Sequence, residues 1–199
     1  MTKDARFLQD YFTQLTEATK LTPALIANLV EVKDFVLETA HRDGKVIWLG
    51  NGGSAGIASH LAADMSKNGG VRAVTFSDPA FITCLANDYG FKDWMAHAVR
   101  IHAQPQDTLI AISTSGKSEN IINAVDMAKS MGMKVATMSA MSPANPLRQK
   151  GDVNLWLESH AYNIVETVHQ FWGMAVLDMM IGQAEYSAAN VTELRKTAI

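Results

Sequence analysis

Six consecutive residues, Ser113-Thr114-Ser115-Gly116-Lys117-Ser118, carry four hydroxyl groups between an apolar run at 108 to 112 and a helical pattern holding Ile121, Ile122 and Val125. The first N–H groups of a helix have no internal partners and carry roughly half a positive charge, so such a turn attracts a dianion. One hydroxyl would be enough to cap the helix. Four of them around a glycine point to a bound phosphate. Lys117 reads equally well as a further phosphate contact and as a solvated surface lysine. A second turn, Gly50-Asn51-Gly52-Gly53-Ser54, lies one strand–helix unit earlier. Its glycines suit a tight βα turn and also let backbone approach a ligand closely. It meets the G-x-G-x-x-G spacing only in part, and no acidic residue closes the strand near Phe76, so no nucleotide cofactor is expected.

Other residues have spacings suited to acid–base or metal chemistry. His60 and Asp64 are four apart on the helix that Ser54 begins, so they share a face; such a pair binds a divalent metal, shares a proton, or is simply solvated. Asp88, in Asn87-Asp88-Tyr89-Gly90-Phe91, is expected in a short loop, either capping the helix of Trp94 and Met95 or bonding sugar hydroxyls. Glu166 and His169 are three apart on a late helix, either as a polar stripe or as an acid–base pair. Met174, Met179 and Met180 suit packing better than a cofactor site.

These residues need a frame that brings them together. Residues 4 to 42 read as two helices broken near Pro23, with apolar residues recurring at three and four. Five short apolar runs follow, at 46–50, 73–76, 108–113, 134–139 and 153–157, separated mostly by helical patterns. Their near-continuous apolar character suits strands buried on both faces. The alternation predicts an α/β fold, a doubly wound five-stranded parallel sheet flanked by helices. One domain is expected over 1–199, with N-terminal helices in 1–42 and the core and C-terminal helices in 43–199. Pro143 and Pro146 mark a loop, a long helix is expected at 161–181 ending at Gly182, and a short one at 191–197. In such a sheet ligands bind beyond the carboxyl ends of the strands, where both turns fall.

Composition narrows the function classes. Seventeen Lys and Arg against twenty Asp and Glu give a formal charge of −3, with no basic run to attract nucleic acid or an anionic membrane. No apolar stretch reaches the roughly 20 residues of a membrane span. The lone cysteine, Cys84, and a start, Met1-Thr2-Lys3-Asp4, without an apolar signal core lead to the expectation of a cytoplasmic protein.

Together the N-terminal helices, Gly50-Asn51-Gly52-Gly53-Ser54, His60, Asn87-Asp88-Tyr89-Gly90-Phe91, Ile112-Ser113-Thr114-Ser115-Gly116, Ser118 and the long late helix resemble a sugar isomerase (SIS) domain. The chain is most similar to the phosphoheptose isomerase group, which converts sedoheptulose 7-phosphate to a heptose 7-phosphate for cell-envelope polysaccharide synthesis. The resemblance implies that Ser54, Ser113, Ser115 and Ser118 hold phosphate with Thr114 beside them, along the Gly52-Gly53 turn. It implies that Asn51 and Asp88 meet the sugar chain, and that His60, with Asp64, belongs to a metal site where zinc is a feature of the group. It also implies a homotetramer with active sites at subunit interfaces.

The departures from the group fall on the chemistry. The isomerases carry glutamate four positions beyond the histidine, where this chain has the shorter Asp64. Their late helix reads R-I-Q-E with a histidine eight residues beyond the glutamine. This chain reads Asn163-Ile164-Val165-Glu166, and the histidine position falls on Gly173 or, one register on, Met174. Two readings follow. In one, Glu166 or His169 joins His60 and Asp64 in a rebuilt site for enediol isomerisation, with Asp64 or Glu166 as base, His169 as acid and a metal on His60 polarising the carbonyl. In the other, the chain is a phosphosugar sensor or protein-binding adaptor; one relative associates with the replication initiator protein. A SIS domain acting on amino-sugar phosphates fits the phosphate turns equally well but the first turn and His60 less well.

Overall fold

The computed structural model describes residues 1–187, and the short helix expected at 191–197 lies outside them. Helix α1, Lys3–Ala18, starts at Thr2, whose hydroxyl accepts from the Ala5 N–H at 3.1 Å. Helix α2, Pro23–His41, starts the same way at Thr22, with proline in its first turn where no N–H is needed. Then come β1 (Val46–Leu49), α3 (Gly53–Lys67), β2 (Ala73–Thr75), α4 (Pro79–Tyr89), α5 (Trp94–His102) and β3 (Thr108–Ser113). The chain continues through α6 (Glu119–Ser130), β4 (Lys134–Ala140), a 3₁₀ turn at Leu147–Gln149, β5 (Val153–Leu157) and α7 (Tyr162–Ile181). The expected loop at Pro143 and Pro146 leads into that 3₁₀ turn.

The five strands form one sheet in the order β2-β1-β3-β4-β5, and every pairing is parallel. The strand runs look continuously apolar because each face meets its own helices. Val46, Trp48, Ile110, Ile112 and Met138 pack under α2, α3 and α7. Their neighbours Ile47, Leu49, Leu109, Ala111 and Val135 pack under α4, α5 and α6. The period of two along a strand thus splits one run between two cores. The edge strand β5 alternates buried with half-buried residues, Asn154 and Trp156 being the more open ones.

Since β1 lies between β2 and β3, the chain reverses its direction of winding there. The carboxyl ends of β1 and β3 therefore flank a crevice, the place where open parallel sheets bind ligands. Helix α1 packs on the body through Tyr11, Leu15 and Ala18 but buries no residue fully. Phe7, Leu8 and Phe12 remain more than half exposed. Among the described residues no helix is long and apolar enough to cross a membrane.

Candidate active site

The turns after β1 and β3 face each other across the crevice and enclose a cleft of about 160 Å³. Asn51, Ser54, Ser113, Thr114, Ser115 and Ser118 line it, together with Tyr162 and Glu166 from the start of α7. The β3–α6 turn is tied internally by the Gly116 N–H donating to Ser113 O at 2.9 Å and the Lys117 N–H donating to Ser115 Oγ at 3.3 Å. Ser118 occupies the N-cap position of α6, yet its hydroxyl makes no capping bond and instead accepts from the Ser113 hydroxyl at 3.1 Å. The first internal bonds of α6 come from Ile121 and Ile122, so the N–H groups of Glu119 and Asn120 precede them. Thr114 is buried, and its hydroxyl has no protein partner. A buried unpaired hydroxyl costs about 1–3 kcal/mol, a cost that a ligand accepting its hydrogen bond removes.

Gly116 has φ +66°, and any side chain there would run into the Asn145 amide. Asn145 itself donates to Ser139 Oγ, Ala140 O and Ser142 O, and accepts from the Arg148 N–H at 2.9 Å. The loop after β4 is thereby fixed against the back of the phosphate turn. Lys117 is exposed and lies outside the cleft wall. The cleft itself offers hydroxyls and the N-terminal dipole of α6 to an anion.

A shallower groove continues from the cleft between α3 and α7, lined by Gly53, Gly56, Ile57, Asn163, Glu166, Thr167 and Gln170. Glu166 belongs to both. Its carboxylate lies so close to Gly53 that a Cβ at that position would overlap it. Gly53 is the first residue of α3, so the carboxylate sits at the positive end of that helix. Beyond Gln170, outside the groove lining, the His60 Nδ1 is 3.1 Å from the Gln170 amide nitrogen and the His60 Nε2 is 3.2 Å from Asp64 Oδ2. With that amide N–H donating to Nδ1, the ring proton lies on Nε2, which is within ion-pair distance of the Asp64 carboxylate without being aligned as a hydrogen bond. Asp178 approaches Asp64 one turn further; burial first, and then the Asp64 charge, push its carboxyl above the usual carboxylate range.

The structure brings Glu166 to the cleft but turns His169 away from it. Three residues along a helix rotate the direction by about 60° one way, and four by about 40° the other. Glu166 and Gln170 thus share one stripe toward α3, while His169 faces the sheet. His169 is completely buried, its Nε2 3.3 Å from Ser139 O and its Nδ1 without a partner. The expectation that Glu166 and His169 share one site is corrected accordingly. Asp88 also moves: α4 runs on through Tyr89, so Asp88 lies in its last helical turn rather than in a loop. It is exposed, accepts from the Asn87 amide at 2.9 Å, and lines neither cleft nor groove. The cap of α5 falls on Asp93, not Asp88.

Burial lowers the His169 pKa to about 4, with the Ser139 contact opposing it. An unfolded imidazole titrates near 6.5, so between those values the unfolded chain binds more protons. The stabilisation from keeping this ring neutral is complete above pH about 6.5 and is lost as pH falls toward 4. His169→Gln is expected to flatten the acid limb of the stability curve by up to about 1.4 kcal/mol per pH unit in that window. Chemical denaturation at a series of pH values measures this; an unchanged slope would show that His169 does not titrate with unfolding.

The expected metal fares less well. Among the described residues no three His, Cys, Asp or Glu side chains come together, and both ring nitrogens of His60 are engaged. One imidazole and one carboxylate do not make a zinc-binding set, so the chemistry below is derived from the side chains alone. Gln170, Asp178 and Asn120, which pairs with Asn51, were not singled out from sequence. The i, i+4 spacing of Glu166 and Gln170 was the available signal for the first of them.

Comparison with known proteins agrees with this geometry. The model of the SIS domain matches residues 10–140. A phosphoheptose isomerase of Helicobacter pylori strain P12 is 35% identical over 139 residues, covering 66% of this chain and 72% of that protein. One from Alkalilimnicola ehrlichii is 30% identical over 172 residues, covering 82% and 88%. The solved phosphoheptose isomerase of Neisseria gonorrhoeae superposes with a TM-score of 0.81 at 30% identity, covering 90% of this chain and 99% of that one. With its phosphate turn, its parallel sheet and these relatives, the chain belongs to the SIS-domain family and to the phosphoheptose isomerase group within it.

Proposed function

We propose that the protein is an aldose–ketose isomerase acting on sedoheptulose 7-phosphate or a related sugar phosphate for cell-envelope polysaccharide synthesis, working in the cytoplasm. The observation that carries this reading is the position of Glu166, which lines both the cleft of the hydroxyl turn and the groove whose Gln170 bonds His60. Ser54, Ser113, Ser115 and Ser118, with Thr114 and the Gly52-Gly53 backbone, hold the phosphate. Asn51 meets the adjoining sugar hydroxyls, and Asp88 has no part in the cleft of its own chain. Glu166 takes the proton from C1, beside the C2 carbonyl, as the carbonyl oxygen receives a proton and an enediol forms. The enediol collapses when C2 is protonated and the C1 hydroxyl gives up its proton, leaving the aldose. The His60–Asp64 pair, oriented by Gln170, carries the oxygen protons. Atoms and electrons balance within the sugar, so the reaction consumes no redox cofactor.

The exposed Phe7, Leu8 and Phe12 suit burial in a homotetramer through the N-terminal helices. Phe7→Ser with Phe12→Ser is expected to reduce the particle mass in light scattering at least twofold; an unchanged mass would remove α1 from the assembly. The activity itself is tested by incubating the protein with keto-sugar phosphates of five, six and seven carbons and identifying products chromatographically. Aldose formation, fastest with the seven-carbon substrate, is expected. Tight binding of these compounds without any product would instead favour a phosphosugar sensor or adaptor.

A further inference from the structure

The two ligand turns are joined by one side-chain contact. The Asn51 amide nitrogen donates to Asn120 Oδ1 at 2.9 Å, and the Asn120 amide nitrogen donates back to Asn51 Oδ1, also at 2.9 Å. Asn51 is half-buried and lines the cleft; Asn120 is 3% exposed and stands behind it. The orientation of the pair is not arbitrary. Asn120 Oδ1 also accepts the Ile121 N–H at 3.0 Å, which fixes which end of the Asn120 amide is oxygen while both ends pair with Asn51. That fixes which end of the Asn51 amide is oxygen. A lone Asn at this place would populate both amide orientations, and half of them would present the wrong group to a sugar hydroxyl.

We infer that Asn120 is a positioning residue: through the reciprocal amide pair it sets the orientation in which Asn51 meets the sugar carbon chain, and it ties that orientation to the turn that holds the phosphate. The inference rests on the reading of the cleft as a sugar-phosphate site. It does not depend on turnover. Asn120 lies in the first turn of α6, directly after the Ser118 cap, so the phosphate turn and the Asn51 amide move as one unit. Discrimination between a sugar phosphate and bare phosphate is then a property of the pair.

The test compares dissociation constants for sedoheptulose 7-phosphate and for inorganic phosphate, by calorimetry on the full chain, in wild type, Asn120→Ala, Asn120→Gln, Asn51→Ala and the Asn51→Ala/Asn120→Ala double variant. The Gln variant keeps an amide but displaces it by one methylene. Loss of one neutral, well-oriented hydrogen bond corresponds to about tenfold in affinity. Both Asn120 variants are expected to bind sedoheptulose 7-phosphate about tenfold more weakly, with inorganic phosphate affinity within about twofold of wild type. The double variant is expected to be no weaker than Asn51→Ala, since Asn120 acts through Asn51. Unchanged sugar-phosphate affinity in Asn120→Ala, parallel loss of both ligands, additive losses in the double variant, or a wild type that favours the sugar phosphate no more than bare phosphate would each overturn the inference. A wild type that binds the sugar phosphate but does not turn it over sinks the isomerase reading alone and leaves the binding comparison intact.

Discussion

Glu166→Gln is expected to lower kcat by about 10² to 10⁴ while changing KM by no more than a few-fold. The side chains are nearly isosteric, so the phosphate cleft keeps its shape and only the capacity to accept a proton is lost. A second substitution tests the same carboxylate from the other side. Gly53→Ala puts a methyl group where the Glu166 carboxylate now lies. The carboxylate is the end of a flexible side chain, so the fold tolerates the change by moving it. The catalytic geometry does not: displacement by about an ångström is enough to cost roughly 10² in rate. Gly53→Ala is therefore expected to lose about that much kcat with a thermal midpoint within a few degrees of wild type. Combined with Glu166→Gln it should lose little more than Glu166→Gln alone. Steady-state kinetics of the three proteins decide this; full activity in Gly53→Ala would place the working carboxylate elsewhere.

Asp64→Asn is expected to have the second largest effect, a fall of about 10² or more in kcat. The Gln170 amide holds His60 Nδ1 and the Asp64 carboxylate faces Nε2, so the two contacts together select one tautomer and one ring orientation. An asparagine at 64 can offer an amide N–H to Nε2 and so favour the opposite tautomer, which removes the proton that the pair is to deliver. Because the pair lies beyond the phosphate cleft, KM for the sugar phosphate is expected to stay within a few-fold. A fall in kcat/KM caused entirely by KM would instead assign Asp64 to substrate binding.

Much of this arrangement was legible in the chain because it is local. The five strands read correctly since burial on both faces leaves an unbroken apolar run, as in 108–113, and the helices at Thr2, Thr22 and Gly182 have their start and stop signals beside them. The hydroxyl-rich turn was legible as a turn for the same reason: four hydroxyls and a glycine lie between a strand and a helix. What was not legible depends on how one helix is rotated against its neighbours. Glu166 and His169 look like partners at a spacing of three, and only the packing of α7 against both α3 and the sheet separates them. Asp88 reads as a loop residue between apolar segments, whereas α4 runs on through Tyr89 and ends at Gly90. Gln170 meets His60 across 110 residues, and Asn120 meets Asn51 across 69. Pairs at that separation leave no periodic trace in the sequence, although each partner stands next to a motif that does.

The glutamate-to-aspartate difference at Asp64 also takes on a structural meaning. In this chain the shorter carboxylate lies beside His60, while Glu166 brings a longer carboxylate into the cleft of the hydroxyl turn. On this account the proton-abstracting group sits on α7 rather than α3. The most direct test is isomerisation in deuterium oxide followed by proton NMR. Incubated with sedoheptulose 7-phosphate, the wild-type protein should yield an aldose 7-phosphate labelled at C2 and exchange label into C1 of the remaining ketose, whereas Glu166→Gln should do neither at a comparable rate. Wild-type exchange that survives in Glu166→Gln would contradict the assignment of the base.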